Sequence, residues 1–83
     1  MPEYLVELYL PRDSSGPAEA ARRARASARA MGREGKRVRY MRSIFVPQDE
    51  ICFLLFEAAS SELVGEASRR AAIEYERIVE AIQ

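Results

Sequence analysis

Five residues of this 83-residue chain have types and spacing that could support chemistry. Glu7, Glu57 and Glu80 each lie in a segment of strand-like composition, and Tyr40 and Arg42 lie two residues apart in another. Side chains two apart on a regular strand point to the same face. We therefore predict that these five residues converge on one sheet face as a ligand-binding set. The three glutamates are the metal ligands that such a face would offer.

Three interpretations of this set remain open. It could form a pocket for a small ligand or a hard metal ion, with the planar guanidinium of Arg42 orienting an anion. It could instead be a set of structural salt bridges at a subunit interface, which is the interpretation we favour because buried carboxylates must be paired. It could also be catalytic, with Glu57 or Glu7 as acid or base beside Tyr40.

Nucleophilic and soft-metal chemistry have little support in the sequence. The chain contains no histidine, and Cys52 is its single cysteine. No Cys-x-x-Cys pair, internal disulfide or Cys/His nucleophile can therefore form. Cys52 lies in an apolar segment, so we expect a buried core residue.

Composition indicates one globular domain over residues 1–83, with 48% hydrophobic and 31% charged residues. The N-terminal segment has no export leader, so we expect a cytoplasmic protein. No apolar run approaches the roughly 20 residues of a membrane span. Residues 1–42 carry ten Lys and Arg against five Asp and Glu, whereas residues 43–83 carry three against eight. This split favours pairing between the halves, or between subunits, over nucleic-acid binding.

Periodicity and turn residues predict six elements. Strands are expected at residues 3–10, 36–47, 51–58 and 75–82. Helices are expected at about residues 17–31, with Ser14 or Ser15 as N-cap, and after an N-cap at Ser60 or Ser61. In the first helix, Ala21, Ala24, Ala28 and Met31 should form the inward face.

The order β-α-β-β-α-β predicts an α+β, ferredoxin-like sandwich: an antiparallel sheet of order 4-1-3-2 with two helices on one face. The third strand, ICFLLFEA, is then central and carries apolar residues on both sides. Phe53 and Leu55 would remain uncovered opposite the helices. Leaving them in water would forfeit several kcal/mol. We therefore predict a homodimer in which two sheets pack face to face.

A basic stripe runs along the first helix at Arg22, Arg25, Arg29 and Arg33. Such a stripe could meet phosphate groups. The second helix should lie alongside with Glu62 and Glu66, so we expect the stripe to be solvated or paired within the chain.

Three segments carry a resemblance to a known family: YLVELYLP, VRYMRSIFVPQDEICFLLFEAAS and ERIVEA. Together they resemble a family of small bacterial ferredoxin-like proteins of unknown function that includes nickel-binding, nickel-responsive members. Relatives often break the second helix with Gly-Leu-Pro, where this chain has Ala72, Ile73 and Glu74. The resemblance implies nickel binding, but the absence of histidine removes the imidazole donors that nickel prefers.

These observations predict a small cytoplasmic homodimeric binding or accessory protein of unknown specific role, whose sheets could hold a small ligand or metal ion between them. No cofactor, nucleic-acid partner or membrane partner is indicated. Two alternatives stay open. One is a cofactor-free oxygenase or cyclase of the dimeric α+β barrel type, with Glu57 and Tyr40 as catalytic candidates. The other is a purely structural interaction module.

Overall fold

The computed structural model describes residues 1–13 and 16–82 of the chain. The elements found in these residues are β1 (Glu3–Tyr9), α1 (Gly16–Arg33), β2 (Val38–Val46), β3 (Ile51–Ala58), α2 (Ser61–Arg70) and β4 (Arg77–Ala81). The strands form an antiparallel sheet of order β2-β3-β1-β4. This confirms the predicted ferredoxin-like α+β fold, since the order 4-1-3-2 is the same sheet read from its other edge.

Both helices pack on one face of the sheet. Val6 and Leu8 of β1 and Leu54 and Phe56 of β3 point to that side and are buried in a single core with residues of both helices. Tyr4, Val6 and Leu8 form the fully apolar face in the alternation of β1, and this is the inner face. Cys52 belongs to the same core, is fully buried and forms no disulfide.

The first helix is longer than predicted, and its inward face starts one residue earlier. Ala20 is buried, whereas Ala21 is half-buried. Small residues let α1 lie close to its neighbours, and the Ser27 hydroxyl donates a buried 2.7 Å hydrogen bond to the Ala67 carbonyl of α2. The predicted N-cap at Ser14 or Ser15 lies outside the described residues.

Local signals set the two ends of α2. The Ser60 side chain accepts a hydrogen bond from the Leu63 backbone N–H, as expected for an N-cap. At the other end Ala72 adopts φ 57°, a left-handed conformation usually taken by glycine. The Ile73 N–H then bonds to the Ser68 carbonyl. An alanine thus occupies the position where the resembling family often has glycine.

An irregularity interrupts β2. Tyr40 pairs with Phe56 and Arg42 pairs with Leu55, so Met41 is an extra residue without a partner in the ladder. Because neighbouring positions of β3 face opposite ways, this β-bulge puts Tyr40 and Arg42 on opposite faces. The second and fourth strands are also shorter than predicted.

In the described part of the chain, neither helix combines the length and apolar character needed to cross a lipid bilayer.

Candidate functional site

The sheet face opposite the helices is called the open face. Its members, read from the strand pairings, are Glu3, Leu5, Glu7 and Tyr9 of β1, Arg39, Arg42, Ile44 and Val46 of β2, Ile51, Phe53, Leu55 and Glu57 of β3, and Arg77, Val79 and Ala81 of β4. The register thus brings together three of the five predicted site residues: Glu7, Arg42 and Glu57.

The centre of the open face is apolar. Leu5 pairs with Leu55 on one side and with Val79 on the other, and Ile44 pairs with Phe53. Leu55 is already 5% exposed within one chain, whereas Ile44 at the edge strand is 47% exposed. Leu55, which was predicted to be uncovered, is therefore buried within one chain, and Phe53 is half-buried. The exposed aliphatic side chain of this face is Ile44 on β2.

Glu7 and Glu57, two of the three glutamates of the open face, have arginine partners on neighbouring strands. Arg77 Nε donates a 2.9 Å hydrogen bond to Glu7 Oε1. Arg39 Nη2 lies 3.7 Å from Glu57 Oε1. These two carboxylates thus form cross-strand ion pairs within one chain, whereas the interpretation favoured from the sequence placed the salt bridges at a subunit interface.

Tyr40 does not lie on the open face, and its predicted placement beside Glu57 was wrong. The bulge at Met41 turns it toward the helices, where its ring meets Phe56 edge-on with centroids 5.8 Å apart. The Arg25 guanidinium lies over the same ring, 5.2 Å from its centroid. The tyrosine and carboxylate pair required by the enzyme hypothesis is therefore not assembled within one chain.

Glu80 is also misplaced in the prediction. It pairs with Tyr4, an inward position of β1, so it lies on the helix side of β4 and is exposed at that edge. The sequence placed it wrongly because a five-residue edge strand gives too little alternation to fix its register.

The donors in the described residues do not fit a nickel site, the metal that the family resemblance implies. No group of three or more His, Cys, Asp and Glu side chains is close enough there to hold a metal ion. Burial also raises the pKa of the Cys52 thiol, which disfavours the thiolate that a metal would need. Glu7 and Glu57, two of the three predicted carboxylate ligands, are instead paired with arginine.

A polar cluster at the hairpin between β2 and β3 was missed by sequence reasoning. Glu50 adopts φ 54° and accepts hydrogen bonds from the Tyr9 hydroxyl and the Arg12 backbone N–H, each at 3.0 Å. The Arg12 N–H, and then the Tyr9 hydroxyl, lower the pKa of Glu50. The bond to Glu50 raises the pKa of Tyr9. These contacts tie the loop after β1 to the hairpin.

The helices are joined by a four-residue charge network. Arg70 donates to both carboxylate oxygens of Glu34, at 2.6 and 2.8 Å, and also bonds to Glu66 at 2.6 Å. Lys36 donates to Glu66 at 2.7 Å. Hydrogen bonds from Arg70 lower the pKa of Glu34, and those from Lys36 and Arg70 lower the pKa of Glu66.

This network changes the interpretation of the basic stripe on α1. Glu66 pairs with Lys36 and Arg70 rather than with the stripe. Arg22 pairs with Glu19 on its own helix, and Arg25 stacks on Tyr40. Within the described residues, Arg29 forms no salt bridge.

A groove of about 650 Å³ lies between α1 and the edge strand β2. It is lined by Met1, Arg25, Ala28, Arg29, Gly32, Val38, Arg39, Tyr40 and Met41. Tyr40 therefore belongs to this groove and not to the open face. The groove was missed because the sequence does not show which arginines of α1 face β2.

Comparison with known proteins gives one family and one matching structure. A family model described as nickel responsive protein SCO4226-like matches residues 4–81. Among curated proteins, no significant match is found. The crystal structure of SCO4226 from Streptomyces coelicolor A3(2) matches with a TM-score of 0.72 and 18% sequence identity, covering 95% of this chain and 94% of that chain. At this identity the structural match shows a shared fold.

Proposed function

The chain belongs to the SCO4226-like family of nickel-responsive proteins, and we propose that it acts as a small homodimeric binding module whose subunit interface is the open face. The observation that carries the proposal is Ile44, an apolar residue of that face that is left 47% exposed on the edge strand β2 beside Phe53. An apolar sheet face with charged residues around it is typical of a surface that packs against a partner.

Charge placement favours a second copy as that partner. The acidic residues of the open face lie on the two central strands, at Glu3, Glu7 and Glu57, and the arginines lie on the two edge strands, at Arg39, Arg42 and Arg77. A twofold interface presents the same surface from both sides. A face that carries both signs can therefore be complementary to itself.

Arg42 supports the same proposal. It is exposed on the open face and forms no salt bridge within the described residues. An acidic residue of a second copy would supply the missing partner. A small anion between the sheets could also pair with the Arg42 guanidinium. A metal ion bound to Glu7 and Glu57 would first have to displace their arginine partners, Arg77 and Arg39.

Mutation of Ile44 tests the interface. Burying the exposed part of this side chain should contribute about 1 to 1.5 kcal/mol per copy. A twofold interface contains the residue twice, so Ile44→Lys should raise the dimer dissociation constant by about 30- to 150-fold. Sedimentation velocity over a concentration series measures this constant directly.

Ile82→Lys is the matched control, because Ile82 is 89% exposed and follows β4 outside the open face. This variant should dimerise like the parent chain. A parent chain that remains monomeric at about 100 µM would contradict the proposal, because a specific interface should be populated well below that concentration. If Ile44→Lys and Ile82→Lys had equal dimer dissociation constants, the interface would lie on another surface.

A further inference from the structure

We propose that the groove between α1 and β2 binds a small organic anion that has an apolar body, such as an aromatic or aliphatic carboxylate, sulfonate or phosphate. The groove lies between α1 and the edge of the sheet, and the proposed dimer uses the open face. Arg39 belongs to both surfaces, and the other residues of the groove lie outside the open face.

The residues that line the groove carry positive charges and no negative charge. Arg25, Arg29 and Arg39 contribute guanidinium groups, and no acidic residue of the described chain lines the groove. Arg25 and Arg29 have no salt-bridge partner within the described residues, and Arg39 reaches Glu57 only at 3.7 Å. The N–H donors of Arg25 and Arg29 are thus available for charge-assisted hydrogen bonds to an anion, and such bonds are among the stronger ones in proteins.

One cation of the groove is held in position by the core. The Arg25 guanidinium stacks over the Tyr40 ring, and Tyr40 packs edge-on against the fully buried Phe56. A guanidinium that is stacked on a fixed ring loses less freedom when it binds an anion. The bulge at Met41 matters here, because it allows Tyr40 to face inward.

The floor of the groove is apolar and open. It contains Ala28 and Val38, which are buried, and Gly32, which is exposed. A Cβ atom added at Gly32 would meet no heavy atom within 4 Å. Larger residues on this turn of α1 would fill the space. The glycine therefore leaves room for the apolar part of a ligand beside the arginines.

Size and shape favour a small molecule over a polymer. Pockets for small ligands have volumes of about 300 to 1,000 Å³ and combine apolar walls with a few placed polar groups. The groove has a volume of about 650 Å³ and that composition. Inorganic phosphate would use the arginines but leave the floor empty. A nucleic acid would also need cations outside the groove, such as Arg33.

Three probes separate these chemistries on the full chain. Anilinonaphthalene sulfonate has both an anionic group and an aromatic body, N-phenylnaphthylamine has the aromatic body alone, and inorganic phosphate has the charge alone. We expect the sulfonate to bind at least about tenfold more tightly than either of the others. Amide NMR shifts should change along α1 and at Val38 to Met41.

Two variants test the charged part and the apolar part of the groove separately. Arg29→Gln removes one donor and should weaken sulfonate binding about tenfold. Gly32→Leu keeps every charge but fills the floor, and it should weaken binding by about tenfold or more. Leucine is a better helix former than glycine, and the Cβ atom added at Gly32 meets no heavy atom within 4 Å, so the second variant should keep its melting temperature.

Arg33→Gln is the matched control, because it removes the same charge from the same helix outside the groove. It should change sulfonate affinity by less than about twofold. Equal affinity for the neutral probe, or NMR shifts confined to Phe53 and Val79 of the open face, would overturn the proposal. The proposal would also be overturned if a single-stranded oligonucleotide bound tightly and Arg33→Gln and Arg29→Gln weakened that binding equally. That result would indicate an extended surface for a polyanion.

Discussion

Deleting one residue from β2 provides a sharp test of the structure. Met41 is the extra residue of the bulge, between Tyr40 paired with Phe56 and Arg42 paired with Leu55. In a variant that lacks Met41, Tyr40 and Arg42 become direct neighbours in a regular ladder. Every remaining residue of β2 then keeps its face and its partner on β3.

A deletion two positions later should behave differently. Without Ser43, the ladder can become regular only if Arg42 moves to the inward position opposite Leu54, a residue with 0% exposure. Placing an unpaired guanidinium there should destabilise the fold by about 3 kcal/mol or more. Removing the half-buried Met41 side chain should cost only about 1 kcal/mol. The variant without Met41 should thus lie within about 1 kcal/mol of Met41→Ala.

Urea unfolding followed by circular dichroism gives the free energies of unfolding of the three variants. Aromatic NMR contacts between Tyr40 and Phe56 report whether the inward placement is kept. A variant without Met41 that loses more than about 3 kcal/mol relative to Met41→Ala would refute the assigned bulge, because the residue would then belong to the regular ladder. Similar losses on deleting Met41 and Ser43 would refute it equally.

Three further predictions concern α2, the turn that follows it and the charge network. Ala72→Gly should stabilise the fold by about 0.5 to 1 kcal/mol, because it removes strain at φ 57°. Gly65→Ala should stabilise it by about the same amount through helix propensity, because the added Cβ makes its one close approach, 3.2 Å, to the end of the exposed Arg69 side chain. Thermal melts check both variants. Hydrogen bonds from Arg70 hold the pKa of Glu34 in the folded protein below its unfolded value. The stabilisation of the folded protein by this pair is therefore present above about pH 4.3 and is lost as pH falls through the folded pKa. The melting temperature should fall on acidification, and it should fall less steeply for Arg70→Met.

The fold could be predicted because its determinants are local and repeated. Alternation in β1 identified the inner face, Ser60 identified the start of α2, and the apolar run of β3 identified a central strand. Element order then left few right-handed topologies. The ends of elements were less predictable, because they depend on tertiary hydrogen bonds such as that from the Glu76 N–H to the Glu7 carbonyl.

The candidate site was predicted less well because face assignment depends on counting residues. One inserted residue reverses every later position of a strand. The sequence does contain a signal: Tyr40 and Phe45 are both large aromatic residues, and both pack on the core although they are five positions apart. An odd spacing cannot place two residues on one face of a regular strand. It therefore indicates a bulge between them.

The same spacing explains how one edge strand can serve two surfaces. From Val38 to Tyr40, β2 lines the groove, where the Tyr40 ring lies under the Arg25 guanidinium. From Arg42 onward, its outward residues Arg42 and Ile44 belong to the open face, and Phe45 still reaches the core. If the same sequence, with Met41 present, paired without a bulge, Tyr40 could stay inward only if Arg42 turned inward and Phe45 outward. Met41 thus separates the proposed ligand groove from the proposed subunit interface while both retain the residues they require.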